Sequence, residues 1–228
     1  MSRKLFAIAI LVCAGCAVAP LGFYESAFPT QKHFCLRGEL DVGRTYDDIP
    51  RDSGADSSYQ PNYSWPMTVI GLDYSPVPYL TLGGELTGPP LILSAWGAGV
   101  KAKAVPLAGK NMAAAVLLRA GANQSESDAW ESHYSYNTQY LVGGGIVSFG
   151  NPSISVGAGP KLVLGHVNIS SDNAFYGNVV DYGGFFNLVM NYKFIGLAVE
   201  VSALSIDRPN ASTRSLKPYG GGTLKLIF

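Results

Sequence analysis

The chain has 228 residues with 16 basic and 16 acidic side chains, so its formal net charge is zero. This balance argues against nucleic acid as a partner, because binding phosphate groups calls for an excess of Lys and Arg. Only 14% of the residues are charged while 47% are hydrophobic, which excludes a disordered chain and leaves few charges to cover a soluble surface.

The first 17 residues are expected to form a secretory signal peptide. A basic start at residues 2–4 precedes the apolar run Leu5 to Val12, which is too short to span a bilayer as a helix. Cleavage after Ala17 or after Ala19 would follow a small-x-small pattern. The run Cys13-Ala14-Gly15-Cys16 is similar to a bacterial lipobox, so lipidation at Cys16 is a further alternative.

Alternation of apolar residues with small or polar ones recurs from residue 33 onward and predicts β-strands. In Ile195 to Ala203 every odd-numbered residue is apolar, while the even-numbered ones are Gly, Ala, Glu and Ser. Ten strands are predicted, with eight as the alternative if one hairpin is misread. They lie at roughly 33–44, 65–75, 79–88, 92–105, 111–122, 134–149, 153–167, 178–194, 195–204 and 216–228.

The connections between these strands alternate between tight turns and longer polar loops. The long loops are expected at 46–64, 123–133, 170–178 and 207–215. This alternation is typical of a transmembrane up-and-down antiparallel β-barrel. The barrel is expected to cover 33–228, with an N-terminal periplasmic segment at 18–32 ahead of it.

Aromatic residues at the strand ends indicate which face of the barrel is apolar. Those near the tight turns are Phe34, Tyr74, Tyr79, Phe149, Tyr192 and Phe228, and those near the long loops are Trp65, Trp96, Tyr134, Tyr136 and Tyr182. Two aromatic belts flanking an aliphatic band are typical of the two surfaces of a membrane. The apolar face is therefore expected to point outward into lipid, and the polar face into the lumen.

At this point the chain resembles the small bacterial outer-membrane β-barrels of the OmpA transmembrane-domain and OmpW-like kind, without pointing to one specific family. The resemblance covers 33–228 and depends on this architecture, the hairpin 71–83 and a last strand that ends in Phe228. It implies the bacterial cell outer membrane as location, with membrane lipid and the barrel-assembly machinery as partners. It also implies that this machinery reads an assembly signal formed by Leu224, Leu226 and Phe228.

The charged residues of the polar face are expected to form a network inside the lumen. They are Arg37, Glu39, Asp41, Asp73, Glu85, Lys101, Lys103, Arg119, Lys161, Asp181, Lys193, Glu200 and Lys225. Side chains nearly fill a barrel of this size, and buried charges are tolerable when they are paired. The network predicts a closed lumen and a structural or surface-interaction role, in which the loops contact an extracellular ligand or a host surface. A narrow pore for small solutes is the alternative.

A hydrolase is a second alternative, with His133 and His166 at the outer rim. Ser132, Ser135 and Asp128 lie close to His133 in the sequence, but nucleophilic catalysis requires these groups within hydrogen-bonding distance. The protein is therefore expected not to be an enzyme. No Cys or His set has metal-ligand spacing, and neither a metal nor a cofactor is expected.

Overall fold

The computed structural model describes residues 20–30, 32–42, 66–88, 95–129, 132–170, 175–206 and 215–228. Ten strands run through these ranges. They are β1 (Phe34–Val42), β2 (Pro66–Val77), β3 (Leu80–Thr87), β4 (Ala95–Ala108), β5 (Met112–Ala129), β6 (Ser132–Gly150), β7 (Ile154–Ser170), β8 (Phe175–Tyr192), β9 (Ile195–Ile206) and β10 (Ser215–Ile227). No helix in the described ranges is long and apolar enough to cross a membrane.

The strands close into one up-and-down barrel. Each strand pairs antiparallel with the next along the chain, and β1 also pairs with β10, with Cys35 opposite Ile227 and Asp41 opposite Gly221. The predicted all-β barrel of ten strands is confirmed. Closure leaves no strand edge without a partner, because every strand has a neighbour on both sides.

One end of the barrel carries the tight turns. These are 78–79, 109–111, 151–153 and 193–194. The start of β1 and the end of β10 meet at the same end, where the backbone N–H of Phe228 donates to the carbonyl of Phe34 at 2.8 Å.

Two of the four predicted long loops are mostly strand. β5 and β6 remain paired as far as Ala129 opposite Ser132, and β7 and β8 as far as Ile169 opposite Phe175. The predicted loops 123–133 and 170–178 were wrong for a physical reason. The ladder is made by backbone groups, so polar side chains do not end it.

Hydrophobicity is inverted relative to a soluble barrel. On β9, Leu197, Val199 and Val201 are exposed, whereas Ala198, Glu200 and Ser202 are buried. On β7 the exposed face is apolar from Ile154 to Leu164. At about 3.4 Å per residue and a tilt of about 40°, those eleven residues cover about 26 Å along the barrel axis. That height matches the hydrocarbon band of an outer-membrane barrel.

Candidate functional site in the barrel lumen

Twelve of the thirteen charged residues predicted for the lumen are buried inside the barrel. They are Arg37, Glu39, Asp41, Asp73, Glu85, Lys101, Lys103, Arg119, Lys161, Asp181, Glu200 and Lys225. Strand alternation places them there, because each faces inward between two outward-facing neighbours. They come from nine of the ten strands, so closure of the sheet brings together residues that are far apart in sequence.

Two arginines and three carboxylates form the most tightly bonded cluster of this network. Arg37 donates to Asp73 at 3.0 Å and to Glu85 at 2.8 Å, and it also pairs with Glu39. Arg119 donates to Glu39 at 2.7 Å and to Glu85 at 2.6 Å. Planar guanidinium groups can bridge several carboxylates at once, which offsets the cost of burying so many charges.

The space left by the charged side chains is filled by the chain itself. Residues 20–28 are all buried. Thr30 lies near the tight turns, where its N–H donates to the carbonyl of Pro78 at 2.8 Å. Leu21 lies beside Lys161 on β7, deep within the apolar band. This lumen segment, residues 20–30, therefore runs from the tight-turn end into the interior of the barrel. It is the described part of the segment that sequence analysis placed in the periplasm.

Wall side chains donate to seven of the eight backbone carbonyls from Leu21 to Phe28. Lys161 donates to Leu21 (2.7 Å), Arg119 to Gly22 (2.6 Å), Lys101 to Phe23 (2.7 Å), Lys225 to Tyr24 (2.8 Å), Asn187 to Glu25 (2.8 Å) and Lys103 to Ser26 (3.4 Å) and Phe28 (3.2 Å). A buried peptide group without a partner costs about 1–3 kcal/mol, so these bonds allow the segment to be buried without a strand partner.

Acceptors on the wall complement these donors. The carboxylate of Asp41 accepts from the N–H of Gly22 at 2.6 Å. Glu200 accepts from the N–H groups of Phe23 and Tyr24 at 3.1 and 3.0 Å, and also pairs with Lys161. The charged groups of the lumen therefore pair with each other and also form hydrogen bonds to the lumen segment.

Two aromatic side chains of the lumen segment lie against wall glycines. The centre of the Phe23 ring lies 5.7 Å from that of the Phe185 ring, and the Lys161 ammonium lies 5.1 Å from the centre of the Phe23 ring. A Cβ at Gly144 would come within 2.8 Å of the Phe23 ring, and one at Gly221 within 2.1 Å of the Tyr24 hydroxyl. Both glycines belong to Gly-Gly-Gly runs in the sequence, at 143–145 and 220–222, and the absence of a side chain at Gly144 and Gly221 leaves room for these two aromatic residues.

Glu25 is the acid of the lumen segment, and sequence reasoning missed it. Its carboxylate lies 3.0 Å from Lys101, 2.8 Å from Lys225 and 3.6 Å from Lys103. A buried carboxylate is tolerable where opposite charges surround it, and here three ammonium groups do so. Glu25 is thus the carboxylate common to all three lysines.

Lys193 is the one predicted network residue that lies outside the lumen. It is exposed in the turn between β8 and β9, with its ammonium 5.3 Å from the Tyr192 ring centre. The predicted strand ran to residue 194, but the backbone turns at Lys193, which has a positive φ of 52°. The turn breaks the alternation of faces from which an inward position was inferred.

The two histidines of the hydrolase hypothesis are not brought together. His166 pairs with Gln139, six residues along β6 from His133, which corresponds to about 20 Å. His166 shares the outward face of β7 with Leu164, and its Nδ1 is hydrogen-bonded to Asn178 at 2.9 Å. The side chain of His133 lies outside the described part of the structure. The described ranges contain no cluster of His, Cys, Asp and Glu suited to a metal ion.

The proposed assembly signal occupies the outward face at the end of β10. Leu224, Leu226 and Phe228 are all exposed. Cys16, the lipidation candidate, lies outside the described residues.

No protein-family model matches the chain, and no curated protein matches it. Among solved structures, the chain is similar to the outer-membrane protease OmpT from Escherichia coli, at 9% identity and a TM-score of 0.44, over 86% of this chain and 94% of that one.

This likeness contradicts the expectation that the protein is not an enzyme, because the similar structure is a protease. That expectation is not kept. What the barrel is follows from its own pairing and surface: ten strands close, the exterior is apolar over the height of a bilayer core, and the charges lie inside. The chain has the fold of an outer-membrane β-barrel.

Proposed function

We propose that the protein resides in the bacterial outer membrane as a barrel that is closed at rest, and that it acts at the cell surface through its longer loops. The single observation that carries this proposal is the filled lumen. Residues 20–28 occupy the interior, and the wall charges are bonded to them and to each other.

The exterior supports the membrane part of the proposal. Large apolar side chains are exposed all round the barrel, and Trp96 and Tyr182 lie at one edge of the band with Tyr74, Phe149 and Tyr192 at the other. Such a surface would drive aggregation in water, whereas in a bilayer it faces lipid. The expected partners are therefore membrane lipid and, through Leu224, Leu226 and Phe228, the barrel-assembly machinery.

The filled lumen disfavours an open pore as the resting state. A conducting barrel keeps polar groups available to water and ions along its axis. Here Lys101, Arg119 and Lys161 donate to backbone carbonyls of the lumen segment. Contact with an extracellular ligand or a host surface would then fall to the loops, chiefly 46–64 and 207–215, and all of these residues except Ser215 lie outside the described part of the chain.

Planar-bilayer recording tests closure. The purified, detergent-folded protein should insert without producing discrete conductance steps at moderate voltage. Regular steps from the unmodified chain would contradict the closed lumen and favour the narrow pore.

Thiol labelling in intact cells tests location and orientation. In a Cys35→Ser background, Ser57→Cys in a long loop should react with a membrane-impermeant maleimide added outside the cells. Lys110→Cys, in a tight turn, is the matched control and should react only after the outer membrane is permeabilised. Equal reaction at both positions, or the reverse pattern, would contradict the proposed orientation.

A further inference from the structure

From Leu21 to Ala27 the backbone of the lumen segment is held by side chains of the wall, as the backbone of a bound peptide can be. The described hydrogen bonds of that backbone to the wall run to side chains such as Asp41, Lys161 and Glu200, and none joins it to a strand as a further ladder. A backbone bond to the wall, from Thr30 to Pro78, forms at the tight-turn end. The contacting side chains come from β1, β4, β5, β6, β7, β8, β9 and β10. The ten-strand ladder closes without the segment, so the barrel wall does not depend on its backbone pairing.

The wall contacts particular side chains of the lumen segment, at three consecutive positions. The ring of Phe23 packs beside the Phe185 ring at the place that Gly144 leaves open, and the Lys161 ammonium lies over both rings. One residue further, Tyr24 occupies the space beside Gly221. The next residue, Glu25, brings a carboxylate to three lysines. Two aromatic residues followed by an acid, in a backbone that bends at Tyr24 (φ 53°), are thus what the wall is shaped to accept.

The tight-turn end leaves a way in. A cavity of about 300 Å³ opens there beside Glu25, Phe28 and Pro29, and its wall includes Lys103, Lys225 and Asp73. Lys32, just beyond the lumen segment, is exposed at this mouth. The cavity reaches two of the three lysines that hold Glu25, Lys103 and Lys225, so an entering peptide could meet them before the rest of the segment is displaced.

We propose that the lumen is a peptide-binding site, which residues 20–30 occupy in cis and which accepts in trans a peptide carrying an aromatic pair followed by an acidic residue. The inference rests on the proposed closed lumen. Displacement of the lumen segment opens a conducting path, because the wall charges then face water.

The test uses the full mature chain with a protease recognition sequence inserted beside Lys32. The protein is folded in detergent, cut at that site, and incubated with an excess of a fluorescent synthetic peptide corresponding to residues 18–30. About one labelled peptide per barrel should be retained through gel filtration, and its arrival should follow loss of the original segment by mass spectrometry. The uncut protein is the control and should retain little label.

Three variant peptides test whether binding to the lumen depends on the sequence of the peptide. Glu25→Gln and Phe23→Ala should each compete about tenfold or more weakly than the natural peptide, since each removes one of the contacts described above. A scrambled peptide of the same composition should not compete. Equal competition by the scrambled peptide, or no incorporation of the natural one, would overturn the proposal.

Conductance separates this inference from the proposed function. The cut barrel should show discrete steps once the free segment is diluted away, and natural peptide should silence them while scrambled peptide should not. Steps that scrambled peptide also silences would overturn the peptide site. Silence of the uncut protein together with failed peptide exchange would leave the closed barrel standing and reject the inference. Steps from the uncut protein would reject the closed barrel itself.

Discussion

At the scale of single residues, neighbouring positions on a strand experience opposite surroundings. Val199 is 54% exposed on the outer face of β9, while Glu200 is 2% exposed and faces the lumen. Glu200 binds Lys161 and the N–H groups of Phe23 and Tyr24. The same two residues would have reversed roles in a soluble barrel, where the apolar face is the core.

Replacing these neighbours one at a time tests the inverted arrangement. Val199→Arg should cost about 2–4 kcal/mol of folding free energy in lipid vesicles, because a charge then meets hydrocarbon. Glu200→Gln should cost about 3 kcal/mol, because Lys161 loses its carboxylate partner in a buried site. Both are measured by urea unfolding followed by tryptophan fluorescence. A near-zero cost for Glu200→Gln would argue for a water-facing position and against the lumen network.

A pair of adjacent glycines offers a sharper test of close packing. Gly144→Ala should destabilise the protein by about 1–3 kcal/mol, because the added methyl group meets the Phe23 ring at 2.8 Å and the Pro160 carbonyl at 2.9 Å. Gly143→Ala is the matched control. Its methyl group would meet Leu118 at 3.6 Å, an ordinary contact, so little change is expected. Equal unfolding midpoints for the two variants in urea would show that Phe23 does not lie against this wall.

At the scale of elements, the lumen segment constrains how the chain is processed. Pro20 is buried, and the carbonyl of Leu21 is bonded to Lys161 well inside the barrel. Cys16 lies four positions before Pro20 in the sequence, a distance of about 14 Å at most in a fully extended chain. An acyl chain on Cys16 would have to lie in the lipid outside the closed barrel wall. A segment of this length, starting from the lumen, is too short to carry Cys16 there.

The mature protein should therefore begin after Ala17 or after Ala19, with no lipid on Cys16. Intact-mass spectrometry of protein extracted from outer membranes checks this, together with growth on labelled palmitate. A Cys16→Ser variant is the control and should be processed and assembled as the natural chain is. An acylated Cys16 in assembled protein would contradict the threading of the lumen segment.

At the scale of the whole molecule, closure is the dominant property. Every strand has two hydrogen-bonded neighbours, and the charge network ties side chains of β1 to those of β2, β3 and β5. Unfolding has no free edge at which to begin, so strands cannot be lost one at a time without breaking two ladders.

The folded barrel should therefore resist dodecyl sulfate until it is boiled. Unboiled and boiled samples should run at different positions on a gel, and the circular dichroism signal of β-structure should persist to high temperature. Protein unfolded in urea before loading is the control and should run as the boiled sample does. Identical mobility of all three, with early loss of the β signal, would contradict closure.

The sequence by itself determined the class of fold and which face of each strand is polar. Both follow from a local pattern of period two, in which Val199 and Glu200 must face opposite ways wherever the strand lies. The predictions failed at two places where this local pattern ends. Lys193 lies in a turn and not on a strand. The polar residues at the ends of β5 and β6 remain in the ladder, because backbone hydrogen bonds do not depend on side-chain polarity.

Only the tertiary structure decided what fills the lumen. Glu25 gives no strand pattern, and its three lysines belong to β4 and β10, more than 70 positions away in the chain. Such contacts depend on closure of the sheet, which brings inward residues of distant strands around one axis. The lumen segment then settles where its carbonyls and its acid meet the donors that the wall provides, because a buried backbone must find hydrogen-bond partners.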